Sequence, residues 1–571
     1  MASYYVQNFG CRATQADGAA IERQFEERGL ERATAPDQAE VVVLNTCTVT
    51  ASADQDARAA IRRVHRENPQ ARIVVTGCYA QRSPDELAAL PGVTQVIGNS
   101  HKHQLAKLVE EFAGAQSKTG AGFVPLAELI STGDLNRRPT TNDQRLFPPQ
   151  RPRTKDQRLL RTDEPRTENG EPRTDVWVSD IFAHTDFLAA PVFDAANERT
   201  RPNLKVQDGC DNRCSFCVIP YVRGQSRSMR LEQILEEVNH LVSAGYRELV
   251  ISGINLGRWG RDLEGGVRFP RFGSRQNLVP QTYGARAADI EIGLKSTQTS
   301  EKMTVSSELG RRPKTEDRRP DFVSLIRAVL DSTSLEKLRI SSVEPMDWTD
   351  ELIALVASSP RIAKHAHVPM QSGSDAVLRR MHRKYRPWHY QEKIEKIRAA
   401  MPTAAIGADV MVGFPGETDA EFEETRRMIE DLPFTYLHVF TYSPRPGTPA
   451  ALMPRQVPVR LARERNRILR DLGTQKKHAF MQGFVGKTVE AITLARGLEL
   501  PPSTDSSKDG NLPRNVALRD PDVFAAELSL TQYTETLTDN YLPLLLRGKH
   551  DPNQWRQVRV EGFEDGKLIG A

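Results

Sequence analysis

Cysteine, aromatic residues and long apolar runs are all scarce in this chain. Only 6 of its 571 residues are cysteine, and 6% are aromatic. So sparse a set of thiols argues against a disulfide-stabilised secreted scaffold and favours metal ligation or catalysis. No run reaches the roughly 20 apolar residues that a transmembrane helix needs, and the N-terminus MASYYVQNFGC lacks a basic region followed by an apolar core. We therefore expect a cytoplasmic protein with no signal peptide and no membrane partner.

A strong net charge is also missing, since the formal value is +4 at pH 7. Residues 137–174 alone hold ten Lys and Arg against six Asp and Glu, which accounts for the whole excess. Overall charge therefore does not point to a nucleic-acid partner, and any such partner must be argued from local features.

Apolar runs alternate with amphipathic stretches over most of the chain, which predicts an α/β protein. Three polar segments interrupt this alternation and are predicted to be insertions, the first of them disordered. The final segment alternates in strand fashion with Gly at its turns, which predicts a small β-barrel. The predicted order is a parallel α/β domain (1–113), a disordered insertion (114–200), a partial (β/α) barrel (201–450) with a polar insertion at about 263–320, a linking helix (451–480), and a β domain (481–571) with an insertion at about 499–521.

Three cysteines of the first domain occupy equivalent positions. Cys11, Cys47 and Cys78 each come directly after a predicted strand. Because ligands bind at the carboxyl ends of strands in open α/β sheets, these thiols can converge on one point although they are far apart in sequence. Three buried structural cysteines are the alternative. The shared topological position favours a common site.

The other three cysteines lie within eight residues, in the stretch DGCDNRCSFCVIPYVRG. Cys210, Cys214 and Cys217 follow the short predicted strand LKVQDG. Zinc usually takes four ligands, and no second cysteine pair follows. A [4Fe-4S] cluster normally uses four cysteines, so three leave one iron open. In C-x-x-x-C-x-x-C loops the open iron characteristically binds S-adenosylmethionine (SAM), so the loop predicts radical-SAM chemistry.

Several segments resemble one known family in chain order. They include NTCTVT, TGCYAQ, GCDNRCSFCVIPYVRGQSRS, HVPMQSGSDAVLRRMHRKY, GADVMVGFPGETDAEFEET and LHVFTYSPRPGTPAA. These resemble the radical-SAM methylthiotransferases, which join a three-cysteine domain, a radical-SAM partial barrel and a C-terminal TRAM domain. The resemblance implies two [4Fe-4S] clusters, an auxiliary one on Cys11, Cys47 and Cys78 and a radical-SAM one on the later three. It also implies that a methylthio group is installed at an unreactive C–H, with SAM supplying both methyl group and radical.

The branch of the family is suggested by NTCTVT and RISSVEP, which look like the threonylcarbamoyladenosine branch. The implied product is a methylthio group at carbon 2 of N6-threonylcarbamoyladenosine beside the anticodon. The implied partners are a tRNA anticodon stem-loop, an electron donor such as a flavodoxin or ferredoxin, and a sulfur source. Isopentenyladenosine in tRNA and a ribosomal-protein aspartate stay open as substrates. So does a radical-SAM enzyme acting on a small molecule with a structural N-terminal metal site, and a non-enzymatic RNA-binding protein ranks last.

Further candidate residues follow from the same resemblance and from local patterns. Thr418 and Glu421 fit a T-x-x-E capping box, so we expect a structural role for them. Lys476, Lys477 and Lys487 could contact phosphate or form a solvated helix face. The candidate SAM contacts are Ser252, Gly253, Asn255, Ser342, Glu344, Gln371, Ser372, Gly413 and Gly416.

Overall fold

The structure, a computed structural model, describes residues 2–117, 174–184, 187, 200–263, 320–497 and 533–571. Most of the three predicted insertions lies outside these ranges. Every helix within them is too short or too polar to span a lipid bilayer. The predicted fold class is confirmed, because a parallel α/β sheet, a partial (β/α) barrel and a closed β-barrel follow one another along the chain.

The N-terminal domain is a six-stranded parallel sheet flanked by helices. Its strands coincide with the apolar runs, such as VVVLNT, in which all six residues are buried. A strand that is apolar along its length must be covered on both faces, and the two core clusters of this domain cover it. The elements are β1 (Ser3–Asn8), α1 (Arg12–Glu26), β2 (Glu31–Arg32), β3 (Val41–Thr46), α2 (Ala51–Glu67), β4 (Arg72–Gly77), α3 (Cys78–Arg82), α4 (Pro84–Ala88), β5 (Val93–Gly98), α5 (Leu105–Ser117) and β6 (Asp175–Trp177). The strand order is β2-β1-β3-β4-β5-β6.

The sixth strand corrects one expectation from the sequence. It lies within 114–200, which was predicted to be disordered, yet it pairs in parallel with β5. Trp177 packs against the core cluster on one side of the sheet. A three-residue edge strand carries too little periodicity to stand out among polar repeats. The sheet therefore recruits its last strand from beyond the predicted boundary of the domain.

The middle region is built from repeated βα units, as predicted. Its elements are β7 (Asn203–Asp208), α6 (Ile219–Arg223), β8 (Arg227–Ser228), α7 (Leu231–Ser243), β9 (Glu248–Gly253), α8 (Phe322–Ser332), β10 (Lys337–Ile340), α9 (Asp350–Ser358), β11 (His365–His367), α10 (Asp375–Arg380), α11 (Pro387–Ala400), β12 (Ala405–Val412), α12 (Asp419–Asp431) and β13 (Tyr436–Thr441). Two sheets, β10-β9-β7-β8 and β11-β12-β13, are joined by backbone bridges such as Ser342 to His367. One continuous core spans both sheets, so six parallel strands form a partial barrel.

The C-terminal region begins with the long helix α13 (Val459–Gln482), which packs on β13. A closed five-stranded barrel follows, with strand order β14-β15-β16-β18-β17. Its strands are β14 (Thr488–Gly497), β15 (Tyr533–Thr538), β16 (Pro543–Arg547), β17 (Trp555–Glu564) and β18 (Lys567–Gly570). The barrel contacts the starts of the middle strands, since Lys337 pairs with Glu490 and Asp539. Among its described strands, closure leaves no free sheet edge.

Candidate active site

The loop after β7 carries Cys210, Cys214 and Cys217. It starts at Gly209, whose φ of +69° and lack of a side chain are required, because a Cβ there would lie 1.9 Å from the Gln225 carbonyl oxygen. The Cys210 amide donates to the Gly224 carbonyl at 3.1 Å, and the Cys217 amide donates to the Cys214 carbonyl at 3.1 Å. These bonds close the loop upon itself. The three thiols therefore leave the loop from a fixed backbone.

Polar side chains from distant segments of the middle region reach the same loop. Arg383 donates from Nη1 to the Cys214 Sγ at 3.2 Å and pairs through Nη2 with Glu344. Asn255 donates from Nδ2 to the Cys210 Sγ at 3.6 Å. Buried Gln207 accepts the Asn255 amide at 2.6 Å, which fixes this segment against the loop. Donors that converge on sulfur suit thiolates rather than neutral thiols.

Two of the N-terminal cysteines take the predicted positions, since Cys47 directly follows β3 and Cys78 directly follows β4. Cys11 instead lies three residues beyond the end of β1 and directly precedes α1. Gly10 allows Cys11 and Cys47 to approach each other, because a Cβ at its φ of +99° would lie 2.9 Å from the Cys47 Sγ. Cys47 and Cys78 are buried, whereas Cys11 is exposed. The strand ends therefore bring together thiols that are 67 positions apart in sequence.

The protonation of these thiols tests whether they fit an iron–sulfur cluster. Burial, together with the nearby Cys78 and Cys11, raises the pKa of Cys47 to about 12. Burial also raises the pKa of Cys217 to about 12, with Cys214 as the second cause. Thiols this reluctant to ionise become thiolates when a metal group takes the place of their protons. All six cysteines are free of disulfides, so each set offers three sulfur ligands to a [4Fe-4S] cluster.

A buried network of charges connects the two cysteine-bearing domains. Asp17 on α1 accepts from Lys102, Lys205 and Arg223. Lys205 and Arg223 also contact Asp208 at the end of β7. Although burial raises it, the pKa of Asp17 is held below its usual range by Arg223, Lys102 and Lys205. Removing one member of such a network would leave an uncompensated buried charge, so these contacts connect the two domains through residues that depend on one another.

A second contact fixes the loop after Cys47. Arg445, which follows β13, donates to the Thr48 hydroxyl at 2.7 Å and pairs with Asp54. Beside it, the Ala51 amide donates to the Ser443 hydroxyl at 3.2 Å. The auxiliary cysteines are thereby tied to the open edge of the partial barrel as well as to its first strand.

Five candidate SAM contacts lie around the cysteine loop. Ser252 and Asn255 are buried, and no group in the described part of the chain is hydrogen-bonded to the Ser252 Oγ or the Asn255 Oδ1. Gly253 packs so tightly on Gln207 that a Cβ would lie 2.9 Å from its Cβ. Ser342 bridges to His367, while Glu344 pairs with Arg383 through one carboxylate oxygen.

The other candidate SAM contacts are held by protein groups. The Ser372 hydroxyl bonds to Thr425 at 3.1 Å. A Cβ on Gly413 would lie 2.6 Å from the Ala462 Cβ, and the Gly416 amide donates to the Arg455 carbonyl. Gln371 has a φ of +62°, rare for a non-glycine residue, and its amide donates to the Asp409 carbonyl. A cofactor role for all nine candidate positions stays a prediction.

Four other candidate residues make contacts that stabilise the fold. Thr418 and Glu421 form a capping box at the start of α12. Lys476 donates to the carbonyls of Glu430 and Leu432 at 2.8 Å. Lys477 donates to the Gly566 carbonyl, and the Lys487 ammonium lies 5.9 Å from the Phe484 ring centre. The two helix lysines therefore serve the fold, and a phosphate contact by Lys487 stays a prediction.

Sequence reasoning missed residues that contact the cysteine loops. Arg383 lies inside the quoted segment HVPMQSGSDAVLRRMHRKY but was given no role. Arg223 lies inside the cysteine-loop segment and was likewise passed over. Both residues are arginines within motifs that are otherwise apolar or turn-forming. Their charge was the available signal, because Lys and Arg are rarely buried without a partner.

A row of polar and aromatic groups lines the last strands of the partial barrel. Tyr436, His438 and Phe440 alternate along β13, and the latter two are exposed. Asp409 accepts from His367 at 3.2 Å and lies 3.3 Å from the His438 Nδ1. Within the described ranges this is the one group of three His, Cys, Asp or Glu side chains with ligand atoms within 4.8 Å of one another.

A C-x-x-x-C-x-x-C loop at the end of the first strand of a partial (β/α) barrel defines a radical-SAM enzyme. Family profiles agree, since "Radical SAM superfamily" matches residues 204–258 and 314–429. The profile "Uncharacterized protein family UPF0004" matches residues 3–98, the domain of the other three cysteines. Among solved structures, the radical SAM methyltransferase TsrM from Kitasatospora setae has a TM-score of 0.46 at 12% identity, covering 79% of this chain and 77% of that one.

Curated relatives identify the kind of radical-SAM enzyme. The threonylcarbamoyladenosine tRNA methylthiotransferase MtaB of Bacillus subtilis is 31% identical over 86% of this chain and 85% of its own. MtaB of Aquifex aeolicus is 30% identical over 86% and 92%. The tRNA-2-methylthio-N(6)-dimethylallyladenosine synthase of Erythrobacter litoralis is 28% identical over 87% of both chains. The chain belongs to the radical-SAM methylthiotransferase family. It is a transferase whose cofactors are two [4Fe-4S] clusters and SAM.

Proposed function

We propose that the enzyme installs a methylthio group at carbon 2 of N6-threonylcarbamoyladenosine beside the anticodon of a tRNA. The observation that carries the proposal is the placement of two three-cysteine sets in two domains that a buried charge network holds together. Two sites with one open iron each suit a reaction that needs both a radical and a sulfur group. The relatives named for threonylcarbamoyladenosine support this substrate.

The chain's residues divide this work between them. When bound, the two clusters supply the electron that cleaves SAM and the sulfur that is transferred. We assign Cys210, Cys214 and Cys217 to the cluster that supplies the electron. We assign Cys11, Cys47 and Cys78 to the cluster that supplies the sulfur. Asn255 and Arg383 orient the first set through their contacts with sulfur. The network centred on Asp17 keeps the distance between the sets constant, which matters because group transfer requires a fixed geometry.

The exposed row on β13 supports a nucleobase as substrate. A base that reacts at its ring must leave the stack, and aromatic side chains receive such bases well. The residues after β13 contact the loop after Cys47, since Arg445 donates to the Thr48 hydroxyl and the Ser443 hydroxyl accepts from the Ala51 amide. A base that rests on the exposed Phe440 would therefore lie near the proposed sulfur-donating site. The closed C-terminal barrel is suited to bind the RNA backbone.

The other proposed partners are an electron donor and a sulfur source, and the proposed location is the cytoplasm.

Mass-spectrometric nucleoside analysis of bulk tRNA, with and without the gene, tests the proposal. We expect loss of the methylthio form of threonylcarbamoyladenosine alone, with accumulation of its unmethylthiolated precursor. Complementation with the Cys47→Ala variant should fail to restore the product. Loss of the methylthio group from an isopentenyl-type adenosine instead would reassign the substrate, as the Erythrobacter litoralis relative illustrates. No change in either nucleoside would refute tRNA as the substrate.

A further inference from the structure

Three side chains on the last strands of the partial barrel form a cluster outside both cysteine sets. His367 ends β11, Asp409 lies within β12, and His438 lies within β13. Their ligand atoms, one from each residue, all lie within 4.8 Å of one another. Two imidazole nitrogens and one carboxylate oxygen are a donor set that suits divalent transition-metal ions.

The register of the strands places these three side chains on one face of the sheet. Asp409 and His438 are directly opposite each other on β12 and β13. His367 is opposite Gly407, which comes two residues before Asp409, and side chains two positions apart on a strand share a face. The intervening Ala408 belongs to the core on the other face. The pairing of the strands therefore determines that the three side chains meet.

The spacing of the ligand atoms fits a tetrahedral metal ion. The Asp409 Oδ1 lies 3.2 Å from the His367 Nε2 and 3.3 Å from the His438 Nδ1. Zinc binds nitrogen and oxygen at about 2.0 Å, which places two ligands of a tetrahedral site about 3.3 Å apart. A charge-assisted hydrogen bond between nitrogen and a carboxylate is shorter, about 2.7–2.9 Å. The two distances therefore favour a shared ion over two direct ion pairs.

The other ring nitrogen of His367 is held by Tyr436. The His367 Nδ1 lies 3.0 Å from the Tyr436 hydroxyl, which also lies 2.7 Å from the Nε2 of buried His365. The tyrosine ring has room because residue 407 is glycine, since a Cβ on Gly407 would lie 2.0 Å from the ring. Metal-binding histidines are usually oriented by such a bond at the nitrogen that faces away from the ion. The contact with Tyr436 leaves the His367 Nε2 facing Asp409.

Solvent reaches the cluster from one side. The side chain of His367 is 10% exposed, that of Asp409 is 26% exposed and that of His438 is 55% exposed. An ion can therefore enter beside His438 while the barrel stays folded. Three protein ligands leave the fourth position of a tetrahedral ion to water or to an oxygen of a substrate, as in catalytic rather than structural zinc sites.

We propose that His367, Asp409 and His438 bind a divalent transition-metal ion, and that zinc is the ion that the spacing fits best. The cysteine sets offer sulfur ligands, whereas this cluster offers nitrogen and oxygen, so the two kinds of site select different metals. The proposal concerns metal binding alone. It therefore does not depend on the proposed substrate or on the methylthio reaction.

Zinc in crystals of the reconstituted full-length enzyme is the first test. Crystals soaked in zinc should show an anomalous peak between the three side chains when diffraction data are collected above the zinc absorption edge, and the peak should fall sharply below that edge. Iron shows no such change, because its absorption edge lies at another energy. The peak should be absent in His438→Ala and present in His478→Ala, a matched change at an exposed histidine of α13. Absence of the peak in the parent enzyme would overturn the metal site.

Zinc affinity in solution is the second test, measured by competition with a fluorescent chelator on enzyme that holds both clusters. His438→Ala and Asp409→Asn each remove one ligand and should weaken binding about 100-fold or more, because loss of an outer partner alone costs about 10- to 100-fold. Tyr436→Phe keeps all three ligands and should weaken binding within that smaller range. Iron content should match the parent in every variant, which shows that the chain is folded. Equal zinc affinity in the parent, His438→Ala and Asp409→Asn would overturn the proposal and leave the proposed function intact.

Discussion

The two cysteine sets solve the same ligand problem in opposite ways. Cys210, Cys214 and Cys217 come from one loop closed by its own backbone bonds. Cys11, Cys47 and Cys78 come from three strand ends and meet only when the parallel sheet has formed. A local set depends on a short stretch of sequence, whereas a dispersed set depends on the register of a whole domain. The two sets should therefore fail independently and for different reasons.

The sharpest test of this comparison removes one thiol from each set. Cys214→Ala should abolish reductive cleavage of SAM, because it takes a ligand from the radical-SAM set. Cys47→Ala should leave SAM cleavage intact and abolish methylthio product, because it takes a ligand only from the auxiliary set. 5′-Deoxyadenosine release and nucleoside mass spectrometry measure the two outcomes separately.

Iron content supplies the control for this pair. Each variant should retain about four of the roughly eight iron atoms expected for two clusters. Full methylthio product from Cys47→Ala would refute the auxiliary role of the N-terminal set. Loss of all iron from either variant would show that the two sets do not form independently.

The dispersed set should also be sensitive to backbone changes that spare every thiol. In Gly10→Ala, the new Cβ would lie 2.5 Å from the Cys47 Cβ, at a φ of +99° that alanine adopts poorly. We expect loss of the auxiliary iron, about half of the total, with SAM cleavage retained. Gly29→Ala is the matched control, since Gly29 also has a positive φ, but a Cβ there would meet no atom within 4 Å. Equal iron in both variants would mean that the approach of Gly10 to Cys47 is not required.

The same contrast explains what could be predicted from the sequence. Strands such as VVVLNT are apolar throughout, and the cysteine that follows each is visible by inspection, so the fold class and both sets were accessible. The network around Asp17 was not, because its partner Arg223 is 206 positions away and no local pattern links them. The β6 strand was missed for a related reason, since three residues at a sheet edge have almost no periodic signal.

Arg383 offers an intermediate test, because it reaches the local set from the connection between α10 and α11. Arg383→Met removes the donor to the Cys214 Sγ and leaves Glu344 without its partner. We expect SAM cleavage to fall about 10- to 100-fold, in line with loss of a hydrogen bond to a charged group. The electron paramagnetic resonance signal of the reduced radical-SAM cluster should shift, whereas methylthio transfer per SAM cleaved should not change.

Arg379→Met is the control for that experiment. Arg379 lies on nearby α10, is largely exposed and pairs with Asp375. Its loss should leave both the rate and the spectrum unchanged, since exposed ion pairs contribute little. If the two variants behaved alike, Arg383 would have no specific effect on the cysteine loop, and the local set would be self-sufficient.

We expect the smallest effect from a change at the capping box of α12, a local sequence pattern with no predicted cofactor role. Thr418→Ala removes the side chain that accepts from the Glu421 amide at 3.3 Å and so opens the capping box of α12. Loss of such a cap costs about 1 kcal/mol of unfolding free energy, measurable as a lower denaturation midpoint. Iron content and SAM cleavage should stay at parental levels, because Thr418 contacts neither cysteine set. A drop in SAM cleavage beyond the loss of folded protein would instead place this turn, with Gly413 and Gly416, at the cofactor. The local sequence pattern at Thr418 would then indicate a cofactor contact as well as a helix cap, whereas the local pattern of Cys210, Cys214 and Cys217 indicates a cofactor site alone.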